Sequence, residues 1–245
     1  TGVQTCALPI WLRRSSLNHA FRRPSRYLGL GEAPAITYYN ITVEQMIAEL
    51  EAKRNFVEKF AFTEPERYWH YLHHLFPANP FLVSALDMAA WDLFGKMKGK
   101  PLYEIWQTKW EGTPQTDYTI GIDTIEKMVA KMKAKPWPIY KIKLGMEEDI
   151  AIVKAVRQHT DAVLRIDANA GWTIEEALEK IPQLAALGVE LIEQPLAKDN
   201  WEGMKILYQQ STIPIIADES CVQENDVEKI GQFLNNLQLQ EKQLF

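Results

Sequence analysis

Four short aliphatic runs constrain this chain more than any other feature. They are Tyr140-Lys-Ile-Lys-Leu144, Arg165-Ile-Asp-Ala-Asn169, Leu191-Ile-Glu-Gln-Pro195 and Ile216-Ala-Asp-Glu-Ser220, and each ends in charged or amide residues. Measured on Lys143, Asp167, Glu193 and Asp218, they recur at intervals of 24, 26 and 25 residues. A period of that size accommodates one strand, one helix and two short loops. Four successive strands therefore present a polar group at the same end, which is how a site is assembled.

The rest of this region has the same rhythm. Expected strands at 118–121, 139–144, 163–167, 189–193 and 213–218 alternate with expected helices at 123–134, 147–159, 174–187, 200–210 and 224–234. Five βα units with short loops imply a parallel sheet. An open doubly wound sheet gathers its ligand at one switch point, whereas a closed barrel collects residues from many successive strands. The polar strand ends favour the second, so the expected fold class is α/β, a (β/α) TIM-type barrel with about five βα units present. Eight are needed to close one, and 235–245 breaks the pattern, so the legible chain is expected to end near Leu234.

Ahead of the barrel the pattern is different. Thr42-Val-Glu-Gln45 is a capping box, and Val43, Met46, Ile47 and Leu50 follow at helical spacing. A second helix is expected from Thr63 to Phe76, with Pro65 in its first turn. A third is expected from Asn79-Pro80 to the Gly99-Lys-Pro101 stop. The small residues of Ser84–Trp91 suit close packing against a neighbour. The expected organisation is a partial α+β capping domain at 28–112, a partial barrel at 113–234 and an aberrant tail at 235–245. Residues 1–27 lack periodicity and are expected to be disordered or non-native.

Formal net charge is −5 over 245 residues, but residues 1–31 hold five arginines and no acid, so the remainder stands at −10. So acidic a globular part is a poor nucleic-acid binder. With two cysteines, Cys6 and Cys221, no disulfide framework is expected and a reducing compartment is the default. No apolar run approaches the ~20 residues needed to cross a bilayer. The expected setting is the cytoplasm, with no membrane or nucleic-acid partner.

Lys141 and Lys143 are two apart on a strand and point the same way. Buried ammonium groups are costly unless opposite charge faces them, and Asp167, Glu193 and Asp218 supply it. Three carboxylates on three adjacent strands form an oxygen-only donor set, which suits a hard divalent ion such as Mg²⁺. The chemistry this suggests is removal of a proton from a carbon beside a carboxylate, with the second negative charge stabilised by the metal ion. The base must be neutral to act, and a neighbouring ammonium and a metal ion both favour that for Lys143. Lys141 would stay charged and hold the substrate carboxylate.

The Lys-x-Lys, Asp-x-Asn, Glu-Gln-Pro and Asp-Glu-Ser strand ends, in this order and spacing, resemble the muconate-lactonising subgroup of the enolase superfamily. In that superfamily a Lys or His base is paired with Mg²⁺. The resemblance covers about residues 28–234. Within the subgroup, Gly31-Glu-Ala-Pro-Ala-Ile-Thr-Tyr-Tyr39, Ser84–Asp92 and Asp117-Tyr-Thr-Ile-Gly121 look most like dipeptide epimerases, including L-Ala-D/L-Glu epimerases. It implies that Asp167, Glu193 and Asp218 bind Mg²⁺, that Lys143 is one acid/base, and that Lys141 and Thr119 contact a small dipeptide. A homo-oligomer is compatible with this.

The family's second acid/base is a lysine on the sixth strand. Lys242 has the spacing for it, 24 residues past Asp218, but Gln-Glu-Lys-Gln is not strand-like. Muconate cycloisomerisation and o-succinylbenzoate synthesis are the alternatives within the subgroup. A non-catalytic fragment and a Schiff-base aldolase are alternatives of other classes. His70, His73 and His74 share a helix face at metal-binding spacing but lack a partner Glu, and read as a solvated or packed face. Trp69, Trp91, Trp106 and Trp137 read as core or interdomain packing, Tyr38 and Tyr39 as lid or packing residues, and Cys221 as a small buried filler.

Overall fold

The structure, a computed structural model, describes residues 7–13, 27–35 and 40–234. It divides into two compact units, Thr1–Thr113 and Pro114–Phe245. Among the described residues no helix is long and apolar enough to cross a membrane.

The first unit is built on an antiparallel pair, β1 (Ala7–Arg13) and β2 (Leu28–Pro34). Strand β1 lies inside the segment that carries no legible period, and it owes its place to the pairing with β2. Three helices follow: α1 (Val43–Lys59), α2 (Pro65–Leu75) and α3 (Pro80–Lys98), then the short α4 (Leu102–Ile105). Thr42 and Gln45 complete the expected capping box of α1. Asn79 caps α3 through Leu82 N at 3.1 Å, Pro80 fills its first position, and Gly99 ends it at φ +64°. Helix α2 differs from expectation: its N-cap is Glu64, with no side-chain cap, so Pro65 alone starts it.

The small residues of α3 have a definite use. A Cβ at Gly31 would lie 1.9 Å from the Ala85 carbonyl oxygen, and one at Gly29 1.9 Å from that of Ala89. Strand β2 therefore crosses α3 backbone against backbone. Asp92 secures the crossing by accepting Leu30 N at 2.8 Å and Lys96 Nζ at 2.5 Å, and Lys96 also donates to Leu28 O. Met46, Leu72, Phe76, Leu82 and Leu86 fill the core beneath. Of the four tryptophans expected in packing roles, none is fully buried. Trp106 is 51% exposed, Trp69 and Trp137 are also exposed, and Trp91 is half-buried.

The second unit is a five-stranded parallel sheet in chain order: β3 (Tyr118–Ile120), β4 (Ile139–Lys143), β5 (Val163–Asp167), β6 (Val189–Glu193) and β7 (Ile215–Ile216). Helices α5 (Ile125–Ala134), α6 (Asp149–Arg157), α7 (Ile174–Ala186), α8 (Trp201–Gln210) and α9 (Glu224–Leu234) alternate with the strands. Alternate strand residues, Tyr140, Ile142, Leu164, Ile166 and Ile192, share one core with Met128, Val153, Ile181, Leu184 and Leu207 of the helices. Each fully buried aliphatic side chain contributes about 2 kcal/mol, so this face supplies the stability. Strand β7 is shorter than expected, because Pro214 precedes it and a turn begins at Asp218.

Candidate active site

The opposite face of the sheet carries the charge. Register places Thr119, Lys141, Arg165 and Leu191 side by side in one row, and Lys143, Asp167 and Glu193 in the next row toward the carboxyl ends. This follows from period-two alternation on strands whose odd and even residues meet different surroundings. Where Ile142 and Ile166 are fully buried against helices, Lys141 and Lys143 are left to face the carboxylates of the next strands.

Asp167 is the centre of the arrangement, with no exposed side-chain surface. Its Oδ2 accepts Lys143 Nζ at 2.5 Å and lies 3.0 Å from Lys141 Nζ, and its Oδ1 accepts Asn169 N at 3.0 Å. Burial pushes its carboxyl up, but the two lysines outweigh that and hold it below the usual carboxylate range. Lys141 bridges to the next strand, donating to Glu193 Oε1 at 2.7 Å. Burial alone would lower the Lys141 ammonium, yet Glu193 and Asp167 together raise it. Glu193 is raised, first by burial and then by the charges of Asp167 and Asp218, against the pull of Lys141.

Asp218 is exposed and follows the last paired residue of β7 by two positions. Among the described residues no three His, Cys, Asp or Glu side chains meet at metal-binding spacing. The lysine ammonium groups stand instead against the Asp167 and Glu193 oxygens. Thr119 is exposed beside Lys141. Tyr38, Tyr39 and Lys242 lie outside the described residues. His70, His73 and His74 are exposed, and Cys221 is half-buried, with its thiol raised by burial and by Asp226 and Asp218.

Three side chains that the strand-end pattern does not single out hold the rim. Fully buried Asp149 accepts Gly145 N at 3.0 Å and Met146 N at 2.9 Å on Oδ1, and Trp172 Nε1 at 2.6 Å and Lys180 Nζ at 2.9 Å on Oδ2. It thereby ties the loop after Lys143 to the loop after Asp167. These loops are as close as glycine allows: a Cβ at Gly171 would lie 2.8 Å from the Gly145 Cα. Gln194 plays a comparable part between β6 and β7. Arg165 closes the layer below, with Nε 2.6 Å from Glu190 and Nη1 3.4 Å from Asp117. Glu190 reaches it because the register shifts between Leu164 and Arg165. Asp149 has a faint sequence signal, a carboxylate opening a helix after glycine; Glu190 has none.

Residues 123–232 match the family described as enolase C-terminal domain-like. The five parallel strands β3–β7 and the helices that alternate with them are part of a (β/α) TIM-type barrel, as the strand-end spacing leads one to expect. An L-Ala-D/L-amino acid epimerase of Maribacter sp. is 52% identical over 211 residues, covering 86% of this chain and 62% of that protein. The crystal structure of a dipeptide epimerase from Cytophaga hutchinsonii, complexed with Mg and the dipeptide D-Ala-L-Val, superposes with a TM-score of 0.74 at 27% identity. It covers 84% of this chain and 58% of that one. The muconate lactonizing enzyme of Pseudomonas putida has a TM-score of 0.79 at 24% identity, covering 94% of this chain and 64% of that one, which is a likeness of fold. The chain spans about three fifths of the length of the curated relatives it matches, 62% and 60% for two of them. The matched segment contains Lys141, Lys143, Asp167, Glu193 and Asp218, and Thr119 precedes it.

Proposed function

We propose that this protein is a Mg²⁺-dependent dipeptide epimerase, an isomerase that inverts the α-carbon next to a carboxylate. The observation that carries the reading is the row Lys143–Asp167–Glu193, with Lys141 spanning the two acids at 3.0 and 2.7 Å. A proton-abstracting lysine needs to be neutral. With Lys143 neutral and Lys141 charged, three carboxylates leave two negative charges, which one divalent cation balances. The oxygen-only donor set of Asp167, Glu193 and Asp218 fits Mg²⁺. When bound, the ion would stabilise the extra charge that develops on the substrate carboxylate.

The chain's own residues do the rest. Lys143 Nζ takes the α-proton, and the electrons of the C–H bond move into the carboxylate to give an enediolate. Lys141, kept as an ammonium by Glu193 and Asp167, pairs with a carboxylate oxygen of the substrate and opposes that charge. Thr119 stands next to Lys141 to contact the remainder of the dipeptide. Inversion requires the proton to return to the other face from a second acid, and epimerisation is complete only with that group in place.

A muconate lactonizing enzyme is comparably near in fold, with a TM-score of 0.79. The 52% likeness to an amino acid epimerase favours inversion. The test is chiral analysis of L-Ala-L-Glu and a panel of L-Ala dipeptides after incubation with the protein and Mg²⁺. Inversion of the C-terminal residue, abolished by chelation, is expected. Turnover of cis,cis-muconate with no inversion of any dipeptide would overturn the reading.

A further inference from the structure

Gln194 lies between Glu193 and Pro195, fully buried, with a backbone φ of +37°. A left-handed conformation at a non-glycine residue is costly and persists where surrounding contacts impose it. Here the side-chain amide uses all of its hydrogen-bonding capacity. Its Nε2 donates to Leu196 O at 2.8 Å and to Ser220 Oγ at 2.9 Å. Its Oε1 accepts Asp218 N at 2.9 Å and Ser220 N at 3.1 Å. Ser220 Oγ in turn donates to Lys198 O at 2.9 Å. On the main chain, Gln194 N donates to Ile216 O and Gln194 O accepts Ala170 N, both at 2.8 Å.

One residue thus joins the turn after β5, the end of β6 and the turn after β7. The last join matters most. Strand β7 pairs only through Ile215 and Ile216, so the ladder stops before Asp218. Beyond it, the backbone of Asp218 is anchored across to β6 by the Gln194 amide.

We propose that Gln194 is a positioning residue for the metal site: its amide sets the Asp218 backbone so that the Asp218 carboxylate turns toward Glu193 and Asp167. This rests on the reading that those three acids bind a divalent cation. A buried amide that merely fills space would stabilise the fold without affecting the site, and the two roles separate experimentally.

The probe is Mn²⁺, titrated by electron paramagnetic resonance into the wild type, Asp167→Asn, Gln194→Met and Leu207→Ala. Leu207 is a fully buried core residue of α8 and serves as a control for lost stability. Wild type is expected to bind and Asp167→Asn to lose binding. Gln194→Met, similar in shape but without the four hydrogen bonds, is expected to bind about 10- to 100-fold more weakly, while Leu207→Ala keeps its affinity despite a lower melting temperature. In parallel, amide exchange at Asp218 and Ser220 is expected to quicken in Gln194→Met and stay slow in Gln194→Glu, which keeps the acceptor. Exchange at Leu144, bonded to Asp167 O, is expected not to change. Wild-type affinity in Gln194→Met, or an equal loss in Leu207→Ala, would overturn the positioning role alone. No Mn²⁺ binding by the wild type would sink the metal reading, and this proposal with it.

Discussion

The two units solve the problem of close approach in opposite ways. In the first, β2 and α3 meet main chain to main chain at Gly29 and Gly31 over Ala85 and Ala89. In the second, strands are separated by their ladder, and side chains sort by face, with aliphatic residues against the helices and lysines and acids on the other side. The first arrangement specifies a shape and carries no convergent chemistry. The second leaves one face free to hold charge because the other face already supplies the burial that stabilises it. The row of lysines and acids therefore lies where strand alternation governs packing.

The comparison can be broken most sharply at Lys143. Lys143→Ala is expected to lower kcat for epimerisation by about 10²- to 10⁴-fold with little change in melting temperature, as read by steady-state kinetics alongside circular dichroism. A collapse of the fold instead would mean that the charged face is structural after all. Asp149→Ala is expected to cost about 3 kcal/mol, because it strands Lys180 and three N–H donors in a buried position. Urea unfolding followed by Trp fluorescence would measure it. In the first unit, Gly31→Ala is expected to cost about 2–3 kcal/mol, at the upper end for overpacking, since the new methyl meets backbone that has no rotamer to change. A neutral result would show that β2 and α3 are not held as described.

The smallest effect concerns pH. Asp87, half-buried on α3, is pushed up to about 6, first by burial and then by the charge of Glu66, with His73 pulling the other way; its Oδ1 has no hydrogen-bond partner. A carboxyl raised on folding contributes its stability fully below the ordinary carboxylate range near 4 and loses it as pH rises through about 6. The wild type is therefore expected to lose melting temperature between pH 4.5 and 7.5 relative to Asp87→Asn, by about 2 °C or less. Parallel melting curves in the two proteins would remove Asp87 from the account.

Much of the second unit is legible in the residues. Strands β5 and β6 run over the expected spans, each a short, mainly aliphatic stretch that ends in an acid. The row of Lys143, Asp167 and Glu193 follows from the same alternation. Other features depend on partners distant in sequence. Asp149 reads as an ordinary first-turn acid until Trp172 and Lys180 arrive from another element. Gln194 is a buried amide whose partners stand on the next strand. Strand β1 has no period of its own and exists through its pairing with β2. Glu190 comes to Arg165 through a register shift that no local pattern encodes.

If Lys143, with the carboxylates of β5, β6 and the turn after β7, removes an α-proton, that proton exchanges with solvent. Incubation of L-Ala-L-Glu in deuterated water with Mg²⁺, followed by proton NMR of the glutamate α-carbon, tests it most directly. Exchange of the α-proton for deuterium is predicted for the wild type, lost on chelation and lost in Lys143→Ala. Exchange that persists in Lys143→Ala, or none in the wild type with any dipeptide, would contradict the account.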